Sequence, residues 1–149
     1  MKTLVAGFLL VASAALVNSA FGDVQKHVDA MKASSKPEVF AVDHGVYTCS
    51  SCDPEVKVQL DGPRKVSGHA EYDELVVVVT NPTSFEVVEG LNGKHQAYYH
   101  YTVSGDGKTL TVTYSDYSTG KEVKGGYTAK RVGPAPAGAH AASGSWQIQ

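Results

Sequence analysis

The chain is short of the residues on which several functions depend. Its 13 basic and 15 acidic residues are interspersed, for a net charge of −2, and they form neither a cationic stripe nor a block of one sign. Phosphate backbones and anionic lipids need a clustered cationic surface, so neither nucleic acid nor a charged bilayer surface is expected as a partner. Beyond the first twenty residues no apolar run reaches the ~18 residues of a membrane span, and no span is expected. No G-x-S-x-G, nucleophile elbow or S-x-x-K is present, and Ser67-Gly68-His69 reads as a turn carrying a histidine. Gly105-Asp106-Gly107 lacks the strand-to-helix transition of a phosphate loop and reads as a hairpin turn. Glu86 and Glu89 fall on opposite faces of one strand, and Asp73 and Glu74 precede a strand as solvated charges, so neither pair makes an acid–base couple. The expectation is a non-enzymatic protein without a cofactor.

Cysteine is scarce too: there are two, Cys49 and Cys52. A lipid anchor of the bacterial type needs a cysteine at the processing site, and Cys49 is far from it. Cys49-Ser50-Ser51-Cys52 admits three readings: a structural disulfide, a redox pair, or half of a metal site. Redox activity in C-x-x-C depends on a helix N-terminus that lowers the first thiol's pKa. Here a strand precedes the pair, and Asp53-Pro54 leads into another. A zinc site needs four ligands; the six histidines are scattered, and His44 and His69 are the only recruits within reason. His95 and His100 point to opposite sides of one strand. A structural Cys49–Cys52 disulfide is therefore expected, and no metal.

What is present begins at the N-terminus. Met1 and Lys2 give a positive start, residues 3–17 an apolar run, and Ser19 and Ala20 small residues before a cut. That is the layout of a secretory signal peptide, with cleavage after Ala20 or Gly22. It predicts export to the periplasm or the medium, where thiols oxidise.

Residues 1–20 are thus read as a signal peptide and 21–41 as an N-terminal segment. Val24, His27, Val28 and Met31 lie at helical spacing, with Asp23 as N-cap and Lys36-Pro37 as the stop. Residues 42–132 read as an antiparallel β domain. Short runs at 46–48 and 56–60 are followed by a turn at Asp61-Gly62-Pro63. The β-branched run 75–80 suits a strand buried on both faces. Asn81-Pro82 turns the chain into 84–89, and Asn92-Gly93 predicts a type I′ hairpin into 95–103. Gly105-Asp106-Gly107 leads into 108–114, and a loop at 118–120 into 121–132. The fold class is all-β: an antiparallel meander forming a small open or closed barrel, with a short N-terminal helix.

Alternation assigns faces. Ala97, Tyr99, Tyr101 and Val103 share one side, and Leu110, Val112 and Tyr114 face inward against an outward ladder of Thr109, Thr111 and Thr113. Val123, Tyr127 and Ala129 share a face on the last strand. Six of the eight tyrosines lie between Tyr98 and Tyr127. Tyrosine suits a half-wet wall, because its ring buries while its hydroxyl finds a partner. Tyr99, Tyr101, Tyr114 and Tyr127 are the candidate ligand-contacting wall. The competing view is that they are ordinary strand residues.

Residues 133–149 form a Pro/Gly/Ala-rich tail ending in Trp146-Gln147-Ile148, which has strand alternation. A meander with open edges invites pairing. The expectation is homodimerisation through sheet edges, or insertion of 145–148 into the molecule's own sheet with Trp146 shielded.

Four motifs in order resemble a largely uncharacterised group of exported, lipocalin-like β-barrel proteins of bacteria. They are Tyr47-Thr48-Cys49-Ser50-Ser51-Cys52, Val66-Ser67-Gly68-His69, the 104–112 stretch Ser-Gly-Asp-Gly-Lys-Thr-Leu-Thr-Val, and the 138–146 stretch ending in Gly144-Ser145-Trp146. The resemblance spans about residues 42–149 and implies a barrel and export. Members look like tandem barrel repeats, each opening on a Gly-x-Trp strand, so this chain resembles a truncated member. No site residue is carried over. The first functional expectation is a barrel binding one small apolar or amphipathic ligand. The alternative is a protein-binding module, an inhibitor or envelope accessory protein, acting through the 66–72 loop and the Cys49–Cys52 turn. The 67–72 stretch resembles in part that of bacterial lysozyme inhibitors.

Overall fold

The computed structural model describes residues 22–149; the signal-peptide reading lies outside them, apart from Gly22 at one of the two cut sites considered. Helix α1 (Asp23–Ser34) is followed by β1 (Glu38–Asp43), β2 (Val46–Cys49), β3 (Val56–Gln59), β4 (Arg64–Lys65) and β5 (Glu74–Asn81). Then come β6 (Ser84–Leu91), β7 (Lys94–Val103), β8 (Thr109–Asp116), β9 (Val123–Gly133) and β10 (Gly144–Ile148).

All ten strands form one antiparallel sheet in the order β3-β2-β1-β10-β9-β8-β7-β6-β5-β4, a meander curled into a nearly closed barrel. The tail strand β10 slots between β9 and β1, with Glu38 opposite Trp146 and Ile148 opposite Ala129. The sheet thus extends from Glu38 to Ile148, and the strand alternation at Trp146 is realised inside the chain's own barrel. At the seam between the first and last strands, the Asp61 N–H donates to Val77 O at 3.0 Å and Arg64 Nε to Gln59 O at 3.4 Å.

Turn chemistry sets the register. Asn92 and Gly93 take φ of 52° and 77°, the left-handed pair that a type I′ turn requires. The β6–β7 ladder then places Val87 opposite Tyr99 and Phe85 opposite Tyr101. Because the meander is antiparallel, alternate connections share an end of the barrel. The β2–β3, β4–β5, β6–β7 and β8–β9 connections and α1 lie at one end, called the lower end. The remaining hairpins and the β9–β10 connection lie at the upper end.

Phe85, Leu110, Val112, Ala129 and Trp146 are fully buried. Phe85 stacks on Tyr101 with centroids 4.5 Å apart, and Phe40 meets both rings edge-on at 5.5 Å. Such pairs add about 0.5–1.5 kcal/mol each beyond the area they bury. The upper half of the interior is filled by these rings.

The Pro/Ala-rich tail packs as a cap rather than trailing as a linker. The His140 N–H donates to Val42 O at 2.9 Å, its Nε2 to Asn81 O at 2.8 Å, and its ring meets Phe85 edge-on. Trp146 Nε1 donates to Ala142 O at 2.8 Å, while Arg131 lies over the indole at 4.1 Å and donates to Ser143 O and Ala141 O at 2.7 Å. Tail carbonyls and one guanidinium therefore close the upper end.

Two expectations are corrected. In β5 only Leu75 and Val77 are buried, while Val78 and Val79 are 36% and 38% exposed. A single curled sheet has one inner face, so Val78 is wet on the other; Val79, opposite Phe85, is in phase with the inner face and is exposed near the end of β5. At the helix start, Gly22 is the N-cap and Asp23 the first helical residue. The Asp116 carboxylate takes the capping role from across the barrel, accepting the Val24 N–H at 2.8 Å. A Cβ on Gly22 would run into that carboxylate.

Candidate functional site

The four candidate tyrosines come together on the inner wall. Tyr99 lies 6.2 Å from Tyr101 and 6.3 Å from Tyr114, centroid to centroid. The Tyr114 hydroxyl donates to Gln25 Oε1 on α1. Tyr101 and Tyr114 are buried, whereas Tyr99 and Tyr127 are half-buried although they face inward. Tyr99 and Tyr127 thus keep part of their surface exposed while their rings line the inner wall.

Two carboxyls share that wall. Tyr127 OH donates to Glu38 Oε2 at 3.0 Å, and Tyr99 OH to Glu89 Oε2 at 3.3 Å. Glu38 is 9% exposed, and Glu89 is half-buried. Burial disfavours the charged form. It pushes Glu38 up to about 7, against the lowering effect of the Tyr127 hydrogen bond. Burial likewise pushes Glu89 to about 7, against the Tyr99 hydrogen bond and with help from the charges of Glu71 and Asp116. Tyr47 and Tyr99 each feel both carboxylates, and burial drives both phenols up. The two glutamates, from β1 and β6, each accept a hydrogen bond from a tyrosine of the inner wall.

Read from the sequence, Glu89 is weighed only as an acid–base partner of Glu86, and Glu38 is not singled out. The opposite faces of Glu86 and Glu89 are as expected, since Glu86 pairs with His100 outside at 3.3 Å. The same alternation puts Glu89 in phase with buried Phe85 and Val87, and thus inward. Glu38 is in phase with buried Phe40 and Val42 on β1, a strand that the turn signals did not delimit.

Cys49 and Cys52 form a disulfide at the lower rim. The 66–72 loop abuts their turn: a Cβ on Gly68 would lie 2.7 Å from Pro54 Cγ. His69 stacks on Tyr72 at 4.4 Å, and Tyr72 packs against the core. His44 sits at the upper end, in the β1–β2 turn, and His69 at the lower, so they cannot share a metal. Among the described residues no group of three or more His, Cys, Asp or Glu side chains is placed to hold a metal ion, and no helix is long and apolar enough to cross a membrane.

Two spaces adjoin the site. An open groove of about 420 Å³ runs along the flank between α1 (Gln25, Val28, Lys32) and β8–β9, reaching Tyr127. A void of about 20 Å³ borders Glu89, Asp116 and Ser118. No family model, curated protein or solved structure matches the chain.

Proposed function

We propose that this is an exported, non-enzymatic, lipocalin-like barrel that binds one small amphipathic molecule against its inner tyrosine wall. The observation that carries the reading is the contrast inside the barrel. The upper half is packed aromatic to aromatic, whereas Tyr99, Tyr127 and Glu89 face inward and remain half-buried. A concave wall of rings with few polar groups is the usual composition of a small-molecule site. The resemblance to exported barrels of bacteria and the signal-peptide layout support the location in the periplasm or medium.

The test is binding of Nile red, a neutral apolar dye, to the exported protein, with native mass spectrometry of the same sample. The expected result is one dye per chain, weakened at least fivefold by Tyr99→Ala in a variant that keeps its β-sheet circular dichroism. No dye binding and no co-purified small molecule would overturn the reading. A second reading, a protein-binding module, is favoured by the contact of the 66–72 loop with the Cys49–Cys52 turn, a joined surface at the lower rim. Retained partner capture after Tyr99→Ala, lost on replacing 67–71 by glycines, would support it.

A further inference from the structure

On the side of β10, β9 is paired along only part of its length. On its other side it follows β8 down to Val123, opposite Asp116, whereas β10 stops at Ile148, opposite Ala129. Residues of an antiparallel strand turn their backbone groups to one neighbour and then the other in alternation. The Arg131 N–H donates toward β8, to Lys108 O at 3.0 Å, and Thr128 O accepts the Gln149 N–H on the β10 side at 2.9 Å. Gly126 and Lys124 therefore present their N–H and C=O to the β10 side, below the end of β10. Among the described residues no strand or backbone partner meets them there.

The open groove of about 420 Å³ lies on this line. Gly126, Tyr127, Thr128 and Gln149 border it on the sheet, and Val28 and Lys32 border it on α1. Alternating donors and acceptors along a free strand edge are the complement of another extended backbone. A small polar molecule would answer one residue of the two. An added strand that continues the β9–β10 register would set an inward side chain opposite Tyr127, where the half-buried ring and Val28 offer apolar contact. Lys32 is the one charged residue bordering the groove, and it forms no ion pair among the described residues. An acidic residue on the added strand is therefore favoured.

We propose that this groove takes an extended, acidic peptide of a partner protein, which adds to β9 in line with β10 and hydrogen-bonds Gly126 and Lys124. The site is separate from the tyrosine wall and does not rest on the small-molecule reading. The probe is acetyl-Val-Thr-Val-Glu-Val-amide, whose Thr and Glu would face Gly126 and Lys124, titrated into the nitrogen-15-labelled exported chain. Amide exchange at Gly126 and Lys124 is expected to slow at least tenfold with millimolar peptide. N-methylation of the Thr and Glu of the peptide should abolish that protection, because it removes the donors that face β9. N-methylation of the central Val, whose N–H points away from β9, should leave affinity within twofold. Lys32→Glu should weaken binding at least threefold with the thermal transition intact. Exchange at the two amides that stays unchanged, or binding that survives N-methylation of Thr and Glu, overturns strand addition. Protection of the same amides in the free protein that grows with its concentration also overturns the proposal, since the occupant is then a second copy of the chain.

Discussion

Tyr127 and Glu38, 89 residues apart, are joined by a 3.0 Å hydrogen bond inside the barrel, with the phenol donating to Glu38 Oε2. The bond reaches across β10, the one strand that separates β9 from β1. It fixes an acidic group beside the tyrosine rings of the inner wall.

Stability should therefore fall as pH rises. Glu38 and Glu89 have folded-state values near 7 against an ordinary 4.5, so the folded state holds protons that the unfolded state releases. The contribution is fully present below about 4.5 and is lost as pH climbs through about 7. Each group accounts for on the order of 3 kcal/mol or less. Urea unfolding from pH 5 to 8 should show the decline, and Glu38→Gln should reduce it. A curve that rises over this window would refute the assignment.

Tyr127→Phe probes the same pair from the other side. The phenol hydrogen bond holds Glu38 down, so its loss should move the Glu38 titration to higher pH. Carbon-13 NMR of the Glu38 side-chain carboxyl would follow it. An unchanged midpoint would mean that the bond is not made in solution.

How much was legible in the sequence follows from which signals are local. Asn92-Gly93 dictates its turn, and once that register is set the inward phase of Tyr99, Tyr101, Leu110, Val112 and Tyr114 follows from period-two alternation. The burial of Trp146 was legible as an alternative, because a meander's free edge needs a strand. Glu38 and Asp116 were not. Their roles depend on partners 89 and 92 residues away, and polar residues at strand ends read as solvated until the sheet is closed around them. The packing of the tail was not legible either, because Pro and Ala composition reports a lack of helix or strand, not a lack of contacts. Its cap is made by backbone carbonyls that carry no sequence signature.

Asp116 should be a stability hot spot. It is 1% exposed, accepting Val24 N–H and Ser118 N–H at 2.8 Å each, and thereby ties α1 to the lower end. Hydrogen bonds to a buried charged group contribute about 1.5–3 kcal/mol each in favourable cases. Asp116→Ala should cost roughly 2–4 kcal/mol in urea unfolding and increase amide exchange in α1. A cost below about 1 kcal/mol with α1 still protected would place the helix anchor elsewhere.

Trp146 reports on the insertion of β10. The indole is 0% exposed, so acrylamide should quench it weakly in the native protein and strongly in urea. Trp146→Ala should cost about 3–5 kcal/mol, as large-to-small changes in packed cores do. Arg131 would also lose the ring beneath it. Strong native quenching would mean that β10 sits outside the barrel in solution.

The Cys49–Cys52 disulfide should matter less than its place at the rim suggests. It joins residues three apart in sequence, and closing so short a loop removes little unfolded-state entropy, about 2 kcal/mol at most. Other contacts also hold the turn: the Val39 N–H donates to Ser51 Oγ at 2.8 Å, and the Ser50 N–H to Val39 O at 3.0 Å. Replacing both cysteines by serine should lower stability by about 2 kcal/mol or less, and Nile red binding should persist, because neither sulfur lies on the tyrosine wall. Thermal melts with and without reductant, beside the double variant, provide the measurement. A loss above about 4 kcal/mol would exceed what a loop this short supplies. It would show that the bridge holds the lower rim, and with it the 66–72 loop, in place.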